Sequence, residues 1–181
     1  MTQTKKAMVK NKDKVKFDDM VLTQTGYEVL PLTAEIIADL TPFIKQAIDN
    51  YNAGPRWKKR VNEFGNHMEE VLRNTDPARF TKPTNAKGKK QATGYPDLKF
   101  VSNQIVVYPE IKILKQGSTG NAMRSFYVST FGKITSDAVH VVIGFEHVDM
   151  KLTGNYHIVD MKNKTLTVKI EFACSNLELY K

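Results

Sequence analysis

Between Thr33 and Tyr51 the apolar residues Ile36, Ile37, Leu40, Phe43, Ile44, Ala47 and Ile48 recur at intervals of three and four. That period predicts an amphipathic helix, with Thr33 ahead of Ala34 and Glu35 as its start. Pro42 is expected to kink or divide it, because proline removes a helical donor and crowds the preceding turn. Gly54 and Pro55 break the pattern. A second helix is expected from about Arg56 to Arg73, burying Trp57, Val61, Phe64, Met68, Val71 and Leu72. Its other face carries Lys58, Lys59, Arg60, Glu63, Asn66 and Glu70. Residues 74–94 contain Pro77, Pro83, Gly88, Gly94 and the cluster Lys87, Lys89 and Lys90, the composition of a loop. Beyond it the period falls to two. Strands are expected at about 97–101, 104–114, 124–130, 139–147, 155–160 and 165–172, with a short helix around Lys133 to Ala138. Helices first and strands after predict an α/β (α+β) chain built around one sheet.

A length of 181 residues suits one domain with its own core. Hydrophobic residues make up 41% and charged residues 25%, so neither disorder nor a membrane protein is indicated. No apolar run is long enough to span a bilayer, and the polar, lysine-rich start has no apolar segment of a secretory signal. One cysteine, Cys174, allows no intramolecular disulfide framework and no thiolate metal cluster, which points to a reducing cytoplasm. His67, His140, His147 and His157 lack zinc-site spacing and read as structural. The net charge of +8 is uneven: residues 1–16 hold six lysines and Asp13, hence +5 of the total. We expect these residues to form a basic, flexible tail and residues 17–181 a single domain. Such a tail attracts polyanions without sequence preference.

The chemistry lies in GYPDLKFVSNQIVVYPEIKIL, Gly94 to Leu114. A hairpin with its tip at Ser102 and Asn103 would set Asp97 opposite Tyr108 and diagonal to Glu110. Alternation then projects Asp97, Tyr108, Glu110 and Lys112 from one face, and Leu98, Phe100, Ile105, Val107, Ile111 and Ile113 from the other. Diagonal neighbours stand roughly 7 to 8 Å apart, near enough for two carboxylates to share a divalent cation. Paired carboxylates repel until a proton or a hard cation such as Mg2+ relieves them. A lysine beside that cation can orient a water or neutralise charge building on phosphorus, a combination suited to phosphodiester hydrolysis. Alternatively, the three residues form a solvated hairpin face with a weak cross-strand ion pair. Pro109 removes a ladder donor, so a bulge or an unpaired edge is expected just before Glu110.

Pro96-Asp97 followed by Glu110-Ile111-Lys112 resembles the PD…(D/E)xK motif of the restriction-endonuclease-like nuclease superfamily. An acidic helix ahead of the hairpin and the later apolar strand AVHVVIGFEHV extend the similarity over about residues 60–150. SFYVSTFGKI followed by that strand further resembles prokaryotic type II restriction enzymes. The resemblance implies a central mixed β-sheet flanked by helices. It also implies Asp97 and Glu110 holding Mg2+, with Mn2+ as a substitute, and Lys112 positioning the water. A helix acid supports the metal in many members; Glu70 is the first candidate here, with Glu63 and Glu69 in reserve.

The implied partner is double-stranded DNA, cut by a homodimer, since cleaving both strands of a symmetric site calls for two-fold related sites. Lys58, Lys59 and Arg60, with Lys87, Lys89 and Lys90, are the candidate phosphate contacts. Gln116, Ser118, Thr119, Asn121, Arg124 and Lys133 are the candidate DNA contacts for base reading. The expected protein is a Mg2+-dependent, sequence-specific endodeoxyribonuclease, cytoplasmic and encoded by a prokaryote or a phage. A structure-selective nuclease such as a Holliday-junction resolvase and a non-catalytic basic nucleic-acid-binding domain are the alternatives.

Overall fold

The computed structural model describes residues 14–89, 94–118 and 132–167, apart from the side chains of Val61 and Asn62. Along the chain run β1 (Lys14–Lys16), α1 (Phe17–Thr25), β2 (Val29–Leu30), α2 (Ala34–Ala53), α3 (Val61–Thr75) and β3 (Phe80–Thr81). They are followed by β4 (Lys99–Ser102), β5 (Ile105–Lys115), β6 (Ala138–Val148), β7 (Lys151–Asp160) and β8 (Thr165–Thr167). The main sheet has the order β2-β6-β5-β4-β3, and β7 also pairs with β6. It is mixed: β6 runs parallel to β2 and β5, while β3–β4, β4–β5 and β6–β7 are antiparallel.

Each face of the sheet has a helical layer, so the central strands are apolar on both sides. In β6, Val139, Val141, Ile143 and Phe145 pack with Leu40, Ile44, Phe64, Met68 and Leu72 of α2 and α3. On the other face Phe17 and Val21 of α1 join Tyr95, Tyr108, Ile134, Ala138 and Met161. Burial on both faces explains why β6 reads as a continuous apolar run rather than a strict alternation.

The sequence pattern locates α2 well: the Thr33 side chain accepts from Ile36 N, and the helix continues through Pro42 over 20 residues. For α3 the start is later than expected. Residues 56–60 lie outside the helix because their groups are used elsewhere: Trp57 N donates to Tyr51 Oη, and Arg56 Nε to the Asp149 carbonyl. The short helix expected around Lys133 to Ala138 is absent; residues 132–137 form turns that lead into β6, with the Lys133 side chain turned inward. The pattern also misses α1, β2 and β3, which are short and bury only a few residues each. Lys14–Lys16, the end of the expected tail, form β1 against β8. The expected strand at 124–130, most of that at 165–172, and Cys174 lie outside the described residues. No helix among the described residues is long and apolar enough to cross a membrane.

Candidate active site

The β4–β5 hairpin turns at Asn103 and Gln104, not at Ser102 and Asn103. Both turn residues have positive φ, 46° and 69°, the pair of left-handed residues that a two-residue hairpin turn requires. Phe100 consequently faces Val107 and Ser102 faces Ile105. Moving the tip by one residue changes Asp97's partner from Tyr108 to Glu110 and leaves every side chain on its expected face. Asp97 itself precedes β4. Leu98 N still donates to the Pro109 carbonyl at 3.1 Å. One step further along, Asp97 Oδ2 accepts from Ile111 N at 2.9 Å, in place of a ladder bond. Pro109 makes no bulge: the β5–β6 register is unbroken from Val107 to Lys115, and the β4 ladder ends before reaching it. The lost donor thus falls beside the end of a strand, where its absence is tolerated.

Glu110 stands beside this carboxylate and is only 5% exposed. Its Oε1 accepts from Lys112 Nζ at 2.6 Å, whereas Oε2 is buried and has no hydrogen-bond partner. Burial, and then the charge of Asp97, push the Glu110 carboxyl up to about 7 despite Lys112. A third acid feels the charge of Asp97. Glu69 on α3 is likewise raised to about 7, first by burial and then by Asp97, with Lys82, Lys133 and Lys112 opposing. Phe64, Met68 and Leu72 define the buried stripe of α3, and Glu69 flanks that stripe. Glu63 and Glu70 face solvent instead. The helical acid that faces the carboxylates is therefore Glu69, and the first candidate, Glu70, points away. Counting the 3.6-residue period from Met68 would have separated them.

Lys133 is 6% exposed, and its Nζ donates to the carbonyls of Gly94 at 2.5 Å and Pro96 at 3.2 Å. The candidate for base reading thus has its amine on two backbone carbonyls. Burial lowers its pKa, while Asp97, Glu110 and Glu69 act in the opposite direction. Next to it Tyr95 Oη lies 2.7 Å from His140 Nδ1. Burial holds His140 near 3 and hence neutral. Its Nε2 has no hydrogen-bond partner. Sequence reading takes His140 as structural and makes nothing of Tyr95, since aromatic and histidine residues in apolar contexts carry no sign of what they touch.

The basic clusters are on the surface. Lys58, Lys59 and Arg60 are exposed, and Lys59 Nζ lies 5.4 Å above the Trp57 ring, which itself stacks on His67 at 4.7 Å. The Asn85 side chain accepts from the N–H groups of Lys87 and Lys89, closing a turn that exposes both lysines. Gln116 is exposed, and the Ser118 hydroxyl donates to the Lys115 carbonyl. Lys90, Thr119, Asn121 and Arg124 lie outside the described residues.

Two neighbouring carboxylates, one with a buried oxygen that has no hydrogen-bond partner, suit a divalent cation, because a buried polar atom left without a partner is costly. Among the described residues no three Asp, Glu, His or Cys side chains are grouped as a finished metal cage. Asp97 and Glu110 would be the protein donors to such a cation, and water or substrate oxygens would complete the shell.

Residues 8–181 match the family model described as the type II restriction enzyme MjaV family. A curated relative from Methanocaldococcus jannaschii, the type II restriction enzyme MjaV, is 31% identical over 199 aligned positions. The alignment covers 93% of this chain and 86% of the relative. No solved structure matches.

Proposed function

The chain belongs to the type II restriction enzyme MjaV family, and from that membership we propose a Mg2+-dependent restriction endonuclease that cuts double-stranded DNA at Asp97, Glu110 and Lys112. Membership itself makes it an endodeoxyribonuclease with DNA as substrate. The metal, the residues and the assembly are our reading.

One observation carries the assignment of the site. Glu110 Oε2 is buried, without a hydrogen bond, beside a second carboxylate, an arrangement that is unfavourable until a proton or a cation arrives. Asp97 and Glu110 would hold Mg2+, or Mn2+ in its place, and Glu69 would support them from α3. The bound cation supplies Lewis acidity toward a phosphodiester oxygen and makes a water more acidic. Lys112, 2.6 Å from Glu110 Oε1, keeps an ammonium beside that carboxylate. From there it would orient the water, whose oxygen adds to phosphorus as the bond to the 3′ oxygen breaks; the water's proton passes to solvent and the 3′ oxygen takes one up, so the products are a 5′-phosphate and a 3′-hydroxyl. Asp97 contributes a carboxylate that the Ile111 N–H fixes in place. The exposed Lys58, Lys59, Arg60, Lys87 and Lys89 would take the DNA phosphates, and Gln116 and Ser118 begin the segment we assign to base reading. Cutting both strands of a symmetric site calls for a homodimer. The domain would be one unit, working in the cytoplasm.

Plasmid incubation tests the reading. Discrete fragments are expected with Mg2+ and none with EDTA, and Asp97→Ala and Lys112→Ala should each abolish cutting while leaving salt-sensitive DNA binding. Cutting retained by both variants would remove the assignment.

A further inference from the structure

One buried charge beneath the site, Lys133, has no part in that chemistry. Gly94 to Asp97 lie outside the strands, so the carbonyls of Gly94 and Pro96 are not set in a sheet ladder. The Pro96 carbonyl is buried and that of Gly94 partly so, and such groups need a donor from elsewhere. Lys133 Nζ provides it for both, at 2.5 and 3.2 Å. These carbonyls flank Tyr95 in the stretch that leads directly to Asp97. Charge-assisted hydrogen bonds are roughly twice as strong as neutral ones. An ammonium that bridges two carbonyls therefore fixes the course of the backbone better than a neutral donor does. Tyr95, between them, is held separately by the 2.7 Å contact with His140 on β6. The negative charges of Asp97, Glu110 and Glu69 favour the charged amine, against its burial and against Lys82.

We propose that Lys133 is a positioning residue, a clamp on the Gly94–Pro96 backbone that holds the Asp97 carboxylate beside Glu110 so that the two can share a cation. This rests on the reading of Asp97 and Glu110 as metal ligands. It differs from a base-reading role, which would place the amine on DNA. It also differs from a purely electrostatic role, because a neutral residue here removes positive charge and by charge alone would tighten cation binding.

The test is a titration of the DNA-free full chain with Mn2+, following the electron paramagnetic resonance of the free ion, with circular dichroism as the check on folding. Wild type should bind Mn2+ and Asp97→Ala should not. Lys133→Met should weaken binding by about tenfold or more, the loss usual for supporting residues around a metal. Lys133→Gln serves as a second neutral variant should Lys133→Met not fold, with weakened binding again expected, and Lys133→Arg should restore affinity. DNA affinity in EDTA should be the same for wild type and the neutral variants. Unchanged or tighter Mn2+ binding by a folded neutral variant overturns the clamp. So does reduced DNA affinity with intact Mn2+ binding, which would place the Lys133 amine on DNA. Equal Mn2+ binding by wild type and Asp97→Ala overturns the ligand reading itself, and the clamp with it.

Discussion

Asp97 accepts a 2.9 Å hydrogen bond from the backbone N–H of Ile111, the residue between Glu110 and Lys112. One carboxylate thus closes the end of the β4–β5 ladder and stands beside its partner carboxylate. Structural and chemical contributions of Asp97 can be separated by substitution.

Asp97→Ala leaves the Ile111 N–H without its acceptor, which costs about 1–3 kcal/mol where such a group is buried. Asp97→Asn keeps an acceptor and removes the repulsion with Glu110. In metal-free urea denaturation the Asn variant should be at least as stable as wild type and the Ala variant less so, with neither cutting DNA. Equal stability of the two variants would remove the structural part of this account.

Lys112→Met is expected to reduce cleavage by roughly a hundredfold or more, in the range lost when a preorganised charge stabiliser is removed. DNA affinity in EDTA should stay within about twofold of wild type, since the amine is engaged with Glu110. A matching fall in affinity would instead identify Lys112 as a phosphate-binding residue.

Glu69 and Glu70 are adjacent but point in different directions, so they should respond differently. Glu69→Gln should shift the Mg2+ concentration required for half-maximal cleavage, by about tenfold. Glu70→Gln should leave it unchanged. The reverse pattern, read from Mg2+ titrations of initial rate, would return the role to Glu70.

The pH dependence follows from Glu69 and Glu110, both raised to about 7 from 4.5. Raised carboxyls favour the protonated folded state, so their stabilisation is complete below about 4.5 and is lost as pH rises through about 7. Mg2+ must displace those protons, and it also relieves the repulsion between the carboxylates. The increase in melting temperature caused by Mg2+ should therefore be small near pH 5.5 and large near pH 8. His140, held near 3, has the opposite sign: it favours the folded state above about 6.5 and loses that contribution as pH falls. It lies in a buried aromatic cluster, so its effect cancels in the difference with and without Mg2+. A Mg2+ shift independent of pH would contradict the proposed ligands.

Lys58, Lys59 and Arg60 are exposed on one segment, and Lys87 and Lys89 on another. Replacing a residue that touches phosphate should lower the slope of log affinity against log salt by about 0.9 for each phosphate no longer neutralised, with equal effect on cognate and non-cognate DNA. Substitution of both clusters without any change of slope would mean that the duplex lies elsewhere.

Much of this molecule was legible in its sequence, because period and alternation are local properties. Ile36, Leu40, Ile44 and Ile48 announced α2, and the parity of Asp97, Tyr108, Glu110 and Lys112 survived a displaced hairpin tip, because a move of one residue along both arms keeps each side chain on its face. The motif residues were readable too, and the mixed sheet flanked by helices followed from the family they resemble. Other features depend on which segments meet. Asn103 and Gln104 took the turn because the strands they join demand left-handed residues, which made Glu110 rather than Tyr108 the neighbour of Asp97. That Glu69 flanks the buried stripe is a matter of period, but that this flank of α3 meets the carboxylates is decided by the packing of Phe64, Met68 and Leu72 on the sheet. Lys133 was a candidate for base reading, and only the fold brings two carbonyls to its amine. Periodicity assigns a residue to a face, but a hydrogen bond that spans 39 positions, as from Lys133 to Gly94, exists only once the layers have closed.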